Sequence, residues 1–255
     1  MDEPSDLESL PKSVENESGE QTMPLWQHLD ELRNVLIKSL VAVLFGFAVT
    51  YYFNSQIIQF LEVPILSVLP QGEKHLYFTG ITDKFMVYLK VSFYSSVILI
   101  SPFVLRQVWS FVAPALKDEE RKFALPFLVG GSIAFFVGVL FAYYCVIPAG
   151  YRFLLQFGGE TEKPLINISE YFSLTLQLLL GMGLLFELPV VAVILAKLGV
   201  IQLQGLIKYR PQAYLGLAVL AAVITPTPDA FTLMLVLIPL ILLYELSLQL
   251  IRWAA

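Results

Sequence analysis

Phe123-Ala-Leu-Pro-Phe-Leu-Val-Gly-Gly-Ser-Ile-Ala-Phe-Phe-Val-Gly-Val-Leu-Phe-Ala-Tyr-Tyr-Cys-Val-Ile147 is a run of 25 residues without one charged side chain. A helix rises about 1.5 Å per residue, so the run would reach ~38 Å, more than the ~30 Å hydrocarbon core of a bilayer. Backbone N–H and C=O groups find no water there. A helix satisfies them within one segment, which makes this stretch a transmembrane helix.

Five more apolar stretches flank it: Val35–Phe53, about Phe85–Val108, Tyr171–Leu198, the stretch between Arg210 and Thr225, and Phe231–Leu250. The stretch between Arg210 and Thr225, fifth of the six in chain order, holds only 14 residues, and at about 1.5 Å each it spans ~21 Å, short of the core. The fold class read from this pattern is all-α, a polytopic membrane protein of six helices whose fifth and sixth are short. Prolines stand at or in these helices (Pro102, Pro126, Pro148, Pro189, Pro211, Pro226, Pro228, Pro239), and each interior one bends its helix. Between the first two crossings, Ser55–Leu69 is apolar enough for a short helix on the membrane interface.

Composition agrees with a membrane protein. Hydrophobic residues make up 57% of the 255 and charged ones 15%, against roughly 45–50% and 25% in soluble domains. The acidity is local, because residues 1–20 hold seven acids and one base while the rest of the chain nets +1. Residues 1–22, with Pro4, Pro11 and Gly19 and no apolar run, read as a disordered acidic tail. Residues 23–255 then form one membrane domain. A tail of this sign and the lack of a basic patch argue against nucleic acid as a partner. One cysteine, Cys145, leaves no disulfide framework or cysteine metal cluster.

Six crossings put both termini on one side. If that side is cytoplasmic, eleven bases fall on or near it, among them Arg33, Arg106, Arg121, Lys122, Lys208 and Arg252, and five fall beyond. The positive-inside rule therefore places both termini in the cytoplasm.

Few residues stand out as chemistry. Glu187, in Phe-Glu-Leu-Pro189, lies ten residues from Lys197, so about 15 Å below the cytoplasmic end. A charge there costs roughly 2.5–3.5 kcal/mol on insertion scales, and intramembrane acids are functional by default. Packing glue is the structural alternative. Glu245, seven residues before Arg252, reads as a snorkelling side chain. Leu25, Leu29, Leu32 and Leu36 space an amphipathic entry to the first crossing, with His28, Asp30, Glu31 and Arg33 on its polar face. In the first cytoplasmic loop, Asp118 can cap the third helix while Glu119 and Glu120 favour its N-terminal end. Asp229 in Thr225-Pro-Thr-Pro-Asp229 can cap the sixth helix. No phosphate loop, nucleophile motif, metal-ligand spacing or cofactor motif is apparent, so the expectation is a protein with no catalytic residues, metal or cofactor.

Together these segments resemble the TatC family, the polytopic receptor subunit of twin-arginine protein translocation. The resemblance runs in order over about residues 23–252. It is carried by His28-Leu-Asp-Glu-Leu-Arg33, by Pro64 with Leu69-Pro-Gln-Gly72, and by Gln107-Val-Trp-Ser-Phe-Val-Ala-Pro-Ala-Leu116. Glu120-Arg121, Phe186-Glu-Leu-Pro189, Thr225-Pro-Thr-Pro-Asp229, Pro239 and Glu245 continue it. Asn34-Val35 depart from it where members often carry further bases.

The resemblance implies binding of folded cargo through signal peptides that bear two consecutive arginines, and transport driven by the proton-motive force. By position it implies a cytoplasmic signal-peptide site at Glu31, Arg33, Phe111, Pro114 and Glu120, and a buried polar site at Glu187. Pro64 and Asp229 fall in its far-side loops. It also implies single-span TatA- and TatB-type partner subunits and several copies in one complex. The membrane would be the bacterial plasma (inner) membrane, with the thylakoid membrane as the alternative. Two arginines call for acids at the mouth, since guanidinium pairs bidentately with carboxylate. The rival is a proton- or ion-coupled solute transporter using Glu187 and Asp229. It calls for internal repeats and paired broken helices, and no repeat is visible in the sequence.

Overall fold

The computed structural model describes residues 25–70, 75–112, 124–156, 165–225 and 229–254. Among these residues the regular structure is helical, and Tyr77 and Asn167 form an isolated parallel bridge. The helices are α1 (Leu25–Tyr52), α2 (Asn54–Val68), α3 (Asp83–Val112), α4 (Ala124–Phe141), α5 (Ile147–Gln156), α6 (Ile168–Leu185), α7 (Leu188–Lys197), α8 (Leu203–Lys208), α9 (Arg210–Ile224) and α10 (Ala230–Ala254). A π-helical turn, Ala142–Val146, joins α4 to α5.

Five continuous stretches are long and apolar enough to cross a membrane: Leu29–Tyr52, Asp83–Val112, Leu125–Gln156, Ile168–Lys197 and Ala230–Trp253. The remaining crossing, fifth in chain order, is α9, with 15 residues. At about 1.5 Å per residue it covers ~22 Å, so the bilayer must thin beside it or neighbours must cover its ends. The last two crossings are both shorter than the third, at 15 and 24 residues against 32. Only the fifth falls short of a full span, because Pro239 lies inside α10 without ending it.

The prolines shape the spans through the hydrogen bonds they cannot make. Pro64 and Pro102 sit inside α2 and α3 and leave the carbonyls of Phe60 and Ile98 without a helical donor. Hydroxyls replace the missing donors. Tyr143 Oη donates to Phe60 O at 2.7 Å, and Ser101 Oγ donates to Ile98 O at 2.8 Å. Ahead of Pro148 the helix widens into the π turn, where the Ile147 N–H reaches back to Ala142 O. Pro189 divides the fourth crossing into α6 and α7, since it lies in the first turn of α7, where its missing N–H has no helical acceptor to lose. Gly199, at φ 72°, then ends α7. Its N–H bonds Ala196 O and that of Val200 bonds Leu195 O, the pair that closes a helix on a left-handed residue.

The first two crossings pack antiparallel along a ladder of small polar groups. Ser96 Oγ donates to Val43 O (2.7 Å), Thr50 Oγ1 to Ser92 O (2.7 Å), and Asn54 Nδ2 to Tyr88 O (2.8 Å). Gly46 lets the backbones approach, because a Cβ there would lie 2.6 Å from Ser96 Oγ. On the other side of the bundle α4 packs on α6. A Cβ at Gly138 would meet Met182 O at 2.5 Å, and one at Gly183 would meet the Phe135 ring at 2.8 Å. α7 and α9 pack on α10.

The expected short helix of the first far-side loop is α2. It buries Ile58, Leu61, Pro64 and Ile65, packs against α5, and its Leu61 carbonyl accepts from Tyr171 Oη. The two far-side connections are tied together by backbone. Tyr77 N donates to Ile166 O (2.9 Å), and Ile168 N donates to Tyr77 O (2.7 Å). Asn167 caps α6 through Oδ1, which accepts from Ser169 N, while its Nδ2 donates to Thr79 Oγ1.

Candidate functional site

The ladder along α3 sets which residues stand level at the end of the bundle where α1 begins. Residues 43 and 50 of α1 meet residues 96 and 92 of α3, and residue 54, which opens α2, continues the register to residue 88. Carried toward the start of α1, that register sets Glu31 and Arg33 level with the last turns of α3, where Phe111 stands. Arg33 is exposed, while Glu31 and Phe111 are each partly covered. Near the end of α3 the Trp109 ring stacks on Phe127 of α4 at 5.8 Å between centroids. Three of the five residues expected at the mouth thus lie at one end. The other two, Pro114 and Glu120, lie outside the described residues, as do Asp118 and Glu119.

Glu187 occupies the turn between α6 and α7. The Glu187 N–H bonds Leu184 O at 3.1 Å, and its own carbonyl accepts from Val191 N at 2.9 Å. The residue is 6% exposed. Its Oε1 is buried with no hydrogen-bond donor, and its carboxylate faces Gly131 of α4. The packing-glue reading, a hydrogen bond to a neighbouring helix, does not describe this oxygen. The carboxylate lies where α4 meets the α6–α7 turn, with little of the residue left exposed. A buried carboxyl oxygen with no donor is costly, and such groups in native proteins call for an explanation beyond packing.

Pro64 is buried in α2, and its place there is structural: it fixes which carbonyl Tyr143 serves. Asp229 caps α10, its Oδ1 accepting from Thr232 N at 2.6 Å. It therefore stands at the start of α10, while Glu187 stands between α6 and α7, so the two acids of the solute-transporter reading are held in unrelated settings.

Glu245 is the residue for which the sequence reading fails. It does not snorkel alone but takes a hydrogen-bonded ion pair from Arg210 Nη2 (2.8 Å) and a hydroxyl from Tyr214 (2.6 Å). Beside it Tyr244 Oη donates to Leu206 O at 2.8 Å. These bonds tie α8 and α9 to α10. The polar ladder along α3 also escapes the sequence reading, although Gly46 and Thr50 on α1, and Tyr88, Ser92 and Ser96 on α3, recur every four residues and so mark one face of each helix, with Asn54 following at the start of α2. Among the described residues no cluster of three His, Cys, Asp or Glu side chains could hold a metal ion.

Comparison with known proteins matches this architecture. The family model for the Sec-independent protein translocase protein TatC matches residues 27–239. The Sec-independent protein translocase protein TatC of Carboxydothermus hydrogenoformans is 41% identical over 228 residues, covering 89% of this chain and 92% of that protein. The protein of that name from Escherichia coli strain K12 is 36% identical over 230 residues, covering 90% and 88%. A crystal structure described as the twin arginine translocase receptor TatC superposes with a TM-score of 0.79 at 36% identity, over 89% of this chain and 99% of that one. Sequence and fold agree over nearly the whole described chain, which is an integral membrane protein and belongs to the TatC family of Sec-independent protein translocases.

Proposed function

We propose that this chain is the receptor of twin-arginine translocation and binds signal peptides with paired arginines at its cytoplasmic face. Glu31 and Glu120 supply carboxylates for the guanidinium groups. Arg33, Phe111 and Pro114 shape the surface between them, and the apolar part of the signal then lies along the bundle toward Glu187. The observation that carries this reading is the register of α1 on α3, which brings Glu31 and Arg33 to the level of Phe111. The described fold of the twin arginine translocase receptor supports it.

Binding of this kind needs no bond making in the receptor, and we read the protein as non-catalytic and free of cofactors. Transport of folded cargo is then driven by the proton-motive force, with single-span TatA- and TatB-type subunits recruited to a complex that holds several copies of this chain. The membrane is the bacterial inner membrane in this reading. A peptide with paired arginines should be retained by the purified protein, and the same peptide with paired lysines should be retained far less. Lysine offers a point charge rather than a planar fork, so equal retention of the two would refute the reading.

A further inference from the structure

Two adjacent glycines on α4 face different surroundings. A Cβ built on Gly131 would lie 2.9 Å from Glu187 Oε2 and 3.3 Å from Oε1, whereas nothing lies within 4 Å of a Cβ built on Gly130. The missing side chain at 131 is therefore the space that the Glu187 carboxylate fills. No protein donor reaches Oε1 among the described residues, so within the chain it is shape that positions that oxygen.

We propose that Gly131 is a positioning residue for Glu187, leaving the notch that keeps its carboxyl group enclosed between α4 and the α6–α7 turn. This rests on the reading of Glu187 as the buried polar site used in transport. The notch differs from the other glycine contacts of this helix pair. At Gly138 a Cβ would strike the Met182 backbone at 2.5 Å, which cannot yield. At Gly131 it strikes the far end of a flexible side chain, which can swing aside. An alanine at 131 should thus be accepted by the fold while it moves the acid.

The test compares Gly131→Ala, Gly130→Ala, Glu187→Ala, Glu187→Asp and the double variant Gly131→Ala/Glu187→Asp. Each is measured for its amount in the membrane, for signal-peptide affinity, and for transport of a folded reporter with a twin-arginine signal. Gly131→Ala should lower transport by about tenfold, less than the ~hundredfold that misplacement by an ångström can cause at a reacting centre. Its signal-peptide affinity should stay at the parental value. Gly130→Ala should behave as the parent. The double variant should transport as well as Glu187→Asp alone, because one methylene fewer withdraws the carboxylate from the new methyl group, and such compensation is the mark of neighbours that share a space.

Parental transport by Gly131→Ala alongside a defective Glu187→Ala would overturn the proposal and leave the role of Glu187 standing. Parental transport by Glu187→Ala would overturn both. A defect in Gly131→Ala that the aspartate does not relieve would mark a general packing role and refute positioning. Should Gly131→Ala fail to accumulate, recovery of accumulation in the double variant supports the proposal, and its failure overturns it.

Discussion

Tyr143 Oη donates a hydrogen bond to the carbonyl of Phe60 at 2.7 Å, and that carbonyl is the one Pro64 leaves without a helical donor. The two rings also stack, 4.5 Å between centroids and 3° from parallel. A proline in one far-side helix and a tyrosine in the third crossing thus work as a pair. Removing only the hydroxyl separates the two contributions. Tyr143→Phe keeps the stack and orphans the carbonyl, so it should cost about 1–3 kcal/mol, seen as a lowered melting temperature in detergent. Converting Pro64 to alanine in the same chain restores a donor in the helix and should recover part of the loss. Equal melting of Tyr143→Phe and the parent would contradict the pairing.

Glu62 gives the far side a pH dependence. The side chain is half-buried on α2, and burial pushes its carboxyl up from the ordinary glutamate range. The folded protein therefore binds this proton more readily than the unfolded chain does. Protonation favours the fold: that contribution is complete below the ordinary range and disappears as pH rises through the raised value. Glu62→Gln should abolish this slope and leave the protein at least as stable as the parent near neutrality. Melting curves taken from about pH 4 to about pH 8 would show it, the range that covers ordinary and raised glutamate values. A variant less stable than the parent near neutrality would point to a charge partner instead.

Arg210 and Glu245 hold α9 to α10. The pair is about a third exposed on each side, so solvent screens it and its net worth is modest, roughly 0.5–1.5 kcal/mol. Arg210→Gln, Glu245→Gln and the double variant form a cycle whose coupling should fall in that range. Additive effects within experimental error would mean that Tyr214, which also donates to Glu245, does the holding.

The fold was legible wherever hydrophobicity and length decide. Six apolar runs, the short fifth crossing and the helix over residues 55–69 follow from counting residues against a bilayer. What counting could not supply was partnership. Glu245 lies 35 residues from Arg210, and no periodicity relates one helix's acid to another helix's base. Pro189 announced a bend, but whether the fourth crossing kinks or divides depends on where the helix restarts, and it restarts at Leu188. Glu187 was visible as a buried acid because its insertion cost is a property of its own position. The notch opposite it was not, since Gly130 and Gly131 look alike in the sequence and differ only in what faces them. The acids of the mouth came from resemblance and charge logic, because Asp118, Glu119 and Glu120 all satisfy a helix N-terminus equally well on pattern alone.

The central claim is that carboxylates at the cytoplasmic face read paired arginines, and peptide affinity in nanodiscs tests it most directly. A charge-assisted pair with arginine is worth about 1.5–3 kcal/mol when partly shielded, so losing one should weaken binding by roughly ten- to a hundredfold. Glu120→Gln should show that loss with insertion unchanged. Glu120→Lys should be worse, because repulsion adds to the lost attraction, and Glu119→Gln should do much less, being turned about 100° away if the helix reaches back to it. The differences should shrink as salt is raised. Equal affinity of Glu120→Lys and the parent for the paired-arginine peptide would contradict the account.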